Sequence, residues 1–357
     1  MRLVDQPEAQ RLLEAALADG PAHAYLFHGP AGVGKRAAAL AFAGELIGEP
    51  ERVGRRAHPD VYIVEPLGDQ IRIGDARALR RDLHLRPFEA SRRVYLIFSA
   101  ELLNEDAADA LLKDLEEPPE YAVVVLVADE LGPIPETIRS RCQLVGFRRL
   151  SERAVREVVS ARAGELELSP NQVTALARVA GGRLDRAERL LDPSGAERRG
   201  RVLAVARAVY ADEGFDPHEA SRTVIDGAAE CGRRARDEAE RELERLDLPT
   251  REAEQRLRRA QRGAEREELL LSLEELSAWY RDLVVVAAGA PSVAIHADHL
   301  DELKADASME RAPGAELAAE AVREEWRSFE ELNVQAGLAF EALFVRLHRV
   351  LAGVRVA

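Results

Sequence analysis

Residues 29–35, Gly29-Pro-Ala-Gly-Val-Gly-Lys35, constrain the fold more than any other stretch of this chain. The run follows a short apolar segment, Ala24-Tyr25-Leu26-Phe27-His28, and precedes a segment of small residues at 37–46. Strand, glycine loop and helix in that order make a phosphate-binding loop. The glycines let backbone N–H groups curl around oxygens, and the helix N-terminus adds positive charge. Gly29, Gly32, Gly34 and Lys35 are therefore candidate phosphate-binding residues. The lysine is informative because 50 residues are basic and just three of them, Lys35, Lys113 and Lys304, are lysines. A compact ammonium suits the space between two phosphates, which a planar guanidinium does not.

The matching machinery for hydrolysis is incomplete. Arg36 stands where the motif requires the Ser or Thr whose hydroxyl holds Mg²⁺. The apolar strand Val94-Tyr95-Leu96-Ile97 should deliver acidic residues to the metal and the attacking water, and it runs instead into Phe98-Ser99-Ala100. Glu101 lies three residues beyond the strand end, out of register to substitute.

A chain of 357 residues is long enough for two or three domains with cores of their own. Residues 1–150 alternate helical and strand patterns, with further β-branched strands at 61–64, 94–98 and 123–127, which predicts an α/β domain with a mainly parallel sheet. A helix over 107–115 ends at Pro118-Pro119. From Ser151 strand signals give way to helical ones, and three short helices over 151–195 make a lid-sized domain. Residues 196–357 read as a third, all-helical domain. Within it, 233–268 is dense in Arg and Glu and broken at Leu248-Pro249-Thr250; it reads as a solvated helical hairpin, with a partner-binding coiled coil as the alternative. Apolar helices are expected at 269–288 and 336–354.

A net charge of −14 argues against general binding to a phosphate backbone, so any DNA contact is local or supplied by partners. Cys142 and Cys231 form neither a disulfide framework nor a metal cluster, and no segment has the roughly 20 apolar residues of a membrane span. A soluble, cytoplasmic, reducing setting without membrane partners is the expectation.

Four motifs occur in order. They are the run from His23 to Lys35, then His58-Pro59-Asp60, then Ala110-Leu-Leu-Lys-Asp-Leu-Glu-Glu-Pro-Pro119, and finally Thr137-Ile-Arg-Ser-Arg-Cys142. In sequence and spacing they resemble the clamp-loader branch of the AAA+ proteins, over residues 1 to about 150. Gly182-Arg-Leu-Asp-Arg186-Ala187 is similar to the second-sensor segment of that family. The resemblance implies an α/β AAA+ (RecA-like) P-loop domain at 1–150, a helical lid at 151–195 and an all-α collar for oligomerisation at 196–357. It further implies a subunit of the DNA polymerase III clamp loader. Its partners would be the ATPase subunits, a delta subunit, the sliding clamp and primed DNA, in a five-membered hetero-oligomer.

Under the resemblance, Arg141 of the Ser-Arg-Cys motif is the arginine finger that acts in trans on a neighbour's ATP, while Arg139 is structural and Cys142 a small buried side chain. The missing metal ligands favour a non-hydrolysing subunit over the motor paralogue. The first-sensor position, near Ala128-Asp129, lacks the usual polar Thr or Asn. Residues 48–57, where family members often carry a four-cysteine zinc module, hold no cysteine, so no zinc is expected. No cofactor is required, although ATP or ADP without productive Mg²⁺ stays admissible at a weak site that includes Arg36. Arg186 either reaches a nucleotide in that site or packs the third lid helix. Lys113, Glu116 and Glu117 read as a helix end, and the pairs Arg92-Arg93 and Arg148-Arg149 as solvated strand ends or DNA contacts. Two rival readings remain open: an active ATPase with an unusual metal site, and a free-standing nucleotide-sensing scaffold.

Overall fold

The computed structural model describes residues 1–66, 70–71, 73–243, 250–331 and 334–352. They form two compact units, Met1–Val155 with Gly181–Arg186, and Arg156–Ala180 with Ala187–Ala357.

In the first unit the order is α1 (Pro7–Asp19), β1 (Ala24–His28), α2 (Lys35–Ile47), α3 (Pro50–Gly54), β2 (Val61–Val64), α4 (Ile73–Leu83) and β3 (Arg93–Phe98). Then come α5 (Glu105–Glu116), β4 (Ala122–Ala128), α6 (Glu136–Arg139) and β5 (Gln143–Gly146). The five strands are parallel in the order β2-β3-β4-β1-β5. β3 and β4 are buried along their whole length, as strands covered on both faces must be, and their Val, Leu and Ile runs are what made them legible. β5 escaped the sequence reading because Gln143-Leu-Val-Gly146 is short and buries just Val145. One core packs Leu26, Tyr95, Ile97, Val124 and Leu126 of the sheet under Leu79 and Leu83 of α4 and Leu111 of α5.

The motif His58-Pro59-Asp60 has a structural task. The fully buried Asp60 carboxylate accepts the backbone N–H groups of Phe88, Glu89 and Ala90 at 2.6, 2.8 and 2.9 Å. Burial opposes its charge, yet these donors and nearby Arg93 outweigh that and hold the carboxyl below its ordinary value. Arg93 corrects an expectation, since it is neither a solvated strand end nor free to contact DNA. It is buried, grips Asp82 at 2.7 Å and stacks on Phe88.

Residues 151–195 divide between the two units. Their helices are α7 (Glu152–Ala163), α8 (Pro170–Val179) and α9 (Leu184–Leu191), and residues 181–186 belong with the first unit. Two backbone hydrogen bonds give the reason. Leu150 N–H donates to Gly182 O at 3.0 Å, and Leu184 N–H donates to Gly32 O at 2.7 Å.

The second unit continues with α10 (Pro193–Ala211), α11 (Pro217–Leu243), α12 (Thr250–Ala287), α13 (Leu300–Asp306), α14 (Ala312–Glu331) and α15 (Ala336–Leu351). Thr250 opens α12, while Leu248 and Pro249 of the expected break lie outside the described residues, as does Val354. The apolar helix expected at 269–288 is not separate, because nothing between 264 and 287 breaks the helix; it is the second half of the 38-residue α12. That half sends Leu276, Trp279, Tyr280 and Leu283 into a core with Val322 of α14 and Phe340, Phe344 and Leu347 of α15.

Beside this core lies a buried charge network that sequence spacing did not suggest. His296 is fully buried, with Nδ1 2.9 Å from Asp282 and Nε2 2.8 Å from Glu275. Arg199 pairs with Glu275 at 3.3 Å and with Asp298 at 2.7 Å, and Arg281 pairs with Asp282 at 2.8 Å. A ring whose two nitrogens both face carboxylates must donate from both, which makes it an imidazolium. Burial works against that charge, but the hydrogen bonds to Asp282 and Glu275 prevail and the pKa is raised. The stability it contributes is complete below the ordinary imidazole value of 6.5 and is lost as pH rises through the higher folded value. Replacement by glutamine should cost roughly 3–5 kcal/mol near pH 6, since two carboxylates lose a buried cationic partner. Thermal melts from pH 6 to 9 check this: the wild-type melting temperature should fall more steeply with pH than that of His296→Gln, and parallel curves would contradict it.

Candidate phosphate loop and exposed arginine

β1 lies between β4 and β5, so the loop that leaves its C-terminal end opens where open α/β sheets bind ligands. Gly29 has φ +134° and packs so closely that an added Cβ would lie 2.1 Å from Phe147 O. Lys35 begins α2 and is buried. Its ammonium does not project into open space: Nζ donates to Gly29 O at 2.5 Å and Pro30 O at 2.6 Å, and pairs with Asp129 Oδ1 at 2.8 Å. Asp129 follows β4, and its backbone N–H donates to Glu101 Oε2 at 3.2 Å. Burial is the main reason the Glu101 carboxyl is raised, and the adjacent Asp129 adds to it.

The two positions that break the hydrolysis pattern touch one another. Arg36 Nη2 donates to Ser99 Oγ at 2.9 Å, and its guanidinium carbon lies 5.2 Å from the centre of the Phe98 ring. Ser99 takes φ +54° as β3 turns into the helical turn Ala100–Leu102. A fixed cation thus occupies the side of the loop where Mg²⁺ would need a hydroxyl and a carboxylate. Neither ligand is supplied by these residues.

Above the loop sit Arg183 and Asp185, which the sequence reading passed over in favour of Arg186. Gly32 has φ +74°, and a Cβ added there would fall 2.0 Å from Asp185 Oδ1. The Asp185 carboxylate is gripped by Arg183 Nε at 3.0 Å and Nη2 at 2.6 Å, and accepts the Arg186 backbone N–H at 2.8 Å. Burial opposes ionisation of Asp185, but the Arg183 guanidinium outweighs it and lowers the carboxyl below its usual range. It is the backbone of Arg186 that serves this arrangement. A signal was present, because Gly182-Arg-Leu-Asp185 places an anion one residue before the arginine singled out.

Arg141 lies at the other end of the unit's chemistry. It follows α6, with Ser140 as the helix C-cap, and it is exposed. Nε donates to Glu116 Oε1 at 2.8 Å and Nη1 to Thr137 O at 2.8 Å. Glu116 ends α5, so the charge cluster read as a helix end also holds the arginine. An exposed pair of this kind is worth about 1 kcal/mol or less, so the guanidinium is presented at the surface at little cost. Arg139 pairs locally with Glu136, and burial pushes the Cys142 thiol up to about 12, which makes it unreactive.

Glu49, His58 and Glu89 bring ligand atoms within 4.8 Å of one another, in the region where zinc was not expected. Asp60 N–H donates to His58 Nδ1 at 3.1 Å, which leaves the hydrogen of a neutral ring on Nε2, the atom that faces Glu49. Arg52 already bridges Glu49 at 2.8 Å and Glu89 at 2.9 Å. Arg52 thus ties both carboxylates of the group into one ion-pair cluster.

Residues 5–151 match the family model described as DNA polymerase III, delta subunit. DNA polymerase III subunit delta′ of Bacillus subtilis is 30% identical over 222 residues, covering 58% of this chain and 66% of that protein. Subunit delta′ of Pseudomonas aeruginosa is 37% identical over 136 residues, covering 34% and 42%. DNA polymerase III subunit tau of B. subtilis is 31% identical over 208 residues, covering 53% and 36%. The chain thus spans between about a third and two thirds of the length of these curated relatives. A parallel sheet with the phosphate loop after β1, a family model matched over residues 5–151 and similarity to two delta′ subunits lead to one assignment: the chain belongs to the clamp-loader family of DNA polymerase III subunits, on its delta-prime branch.

Proposed function

We propose that this chain is a non-hydrolysing clamp-loader subunit that lends Arg141 to the ATP site of a neighbouring ATPase subunit. The observation that carries the reading is an asymmetry within one α/β unit. At the phosphate loop, Arg36, Phe98 and Ser99 stand in contact where metal ligands are required. At the surface, Arg141 is held by an ion pair with Glu116 that a competing phosphate can outbid. A guanidinium beside a neighbour's γ-phosphate stabilises charge that develops in the transition state, and fingers of this kind accelerate hydrolysis by roughly 10³–10⁵. The partners in this reading are the ATPase subunits and delta subunit of the clamp loader, with the sliding clamp and primed DNA engaged by the assembly. The acidic net charge of −14 fits a subunit whose DNA contacts are made mainly through those partners.

The test is reconstitution with the ATPase subunits, followed by mass measurement and DNA-stimulated ATP turnover. Arg141→Ala should assemble normally while the one site it serves slows by about 10³ or more, removing that site's share of turnover. Unchanged turnover would overturn the finger. In the same assay Lys35→Ala should leave turnover within about twofold of wild type, because the loop it alters performs no metal-assisted transfer. A loss as large as that of Arg141→Ala would show the loop to be catalytically live.

A further inference from the structure

The fold family implies a nucleotide with Mg²⁺ at the loop 29–35, and the residues present fit neither. Both charged side chains of the loop, Lys35 and Arg36, already have partners within the chain. The Lys35 ammonium is taken by Asp129 at 2.8 Å and by the carbonyls of Gly29 and Pro30. Arg36 is taken by Ser99 and the Phe98 ring. Over the loop backbone, Asp185 Oδ1 lies against Gly32, and Leu184 N–H donates to Gly32 O at 2.7 Å, so the 181–186 segment seats directly on the loop.

We propose that Asp129 and Asp185 are specificity-determining residues that close this loop to nucleotides, each supplying a carboxylate where a phosphate would otherwise bring negative charge. This rests on the reading of the chain as non-hydrolysing and deepens it: the site is shut by charge as well as stripped of its metal ligands. The two carboxylates act differently. Asp129 competes for Lys35, the cation that a β- or γ-phosphate needs, and Glu101 holds the Asp129 backbone in place. Asp185 competes for the space over Gly32 and repels an approaching anion, with Arg183 and the Arg186 N–H fixing its aim. A phosphate entering the loop has to displace one carboxylate and lie beside the other. Gly32 is part of the device, because a side chain there would strike Asp185.

The experiment is calorimetric titration of the isolated full chain with ATP and with ADP, each with Mg²⁺ and with EDTA. The proteins are wild type, Asp185→Asn, Asp129→Asn/Asp185→Asn and that double variant carrying Lys35→Ala. Wild type should show no saturable binding at micromolar nucleotide. The double variant should bind ATP at least about tenfold more tightly than wild type, equally well with Mg²⁺ or EDTA, and lose the gain when Lys35 is removed. Asp185→Asn keeps the shape and the acceptor for Arg186 N–H, so it should show part of the gain and serves as the test should the double variant fail to melt cooperatively. Saturable micromolar binding by wild type overturns the proposal, and so does a folded Asp185→Asn variant with unchanged affinity. ATP hydrolysis measured on the same samples separates the two readings: turnover by wild type would sink the non-hydrolysing reading itself, whereas affinity reports on the carboxylates alone.

Discussion

Lys35 is a buried ammonium whose charge the chain balances itself, and the arrangement of the first unit follows from that balance. A buried cation without a partner is expensive, so the ammonium must find anions or carbonyls. Here they come from Asp129 after β4 and from the carbonyls of Gly29 and Pro30. These groups satisfy the ammonium, and residues 181–186 seat on the loop through the Leu184 to Gly32 hydrogen bond. Arg36 completes the picture. A guanidinium over Phe98 and on Ser99 turns two apparent losses into one contact, which is how a degenerate site keeps a well-packed strand end.

The same unit treats Arg141 in the opposite way. Its ion pair with Glu116 is exposed, and the screening that makes such pairs weak also makes them exchangeable. Lys35 and Arg141 are thus two cations in one fold with contrasting availability, the first committed inward and the second offered outward. In the proposed reading this contrast is the division of labour within the assembly: the unit positions an arginine for chemistry performed by a neighbour. The second unit gains its order from other means, a continuous 38-residue α12 packed on α14 and α15 and an imidazolium held between Glu275 and Asp282.

Much of the first unit was legible in the sequence because its signals are local. β3 and β4 are unbroken apolar runs, and the glycine loop announces itself by composition and by the strand and helix that flank it. β5 was missed because four residues with a single buried side chain carry almost no periodic signal. The motif His58-Pro59-Asp60 was visible, but its task was not: Asp60 binds three N–H groups some thirty residues away, a pairing that no local pattern encodes. Asp185 and Arg183 were missed for the same reason, since Gly32 lies more than a hundred residues upstream. Arg93 looked solvated because it borders a strand, and Asp82 on α4 is what buries it. The collar helices were legible as helices, but the length of α12 was misread because a change from charged to apolar residues resembles a boundary when it is a change of environment along one element.

The central claim is that this chain cannot perform metal-assisted phosphoryl transfer on its own. A single-turnover experiment tests it most directly: the isolated protein in excess over γ-labelled ATP, with Mg²⁺, followed for release of inorganic phosphate. Release no faster than in ATP and Mg²⁺ alone is the predicted result. Release at a steady enzymatic rate that disappears in Lys35→Ala would contradict it.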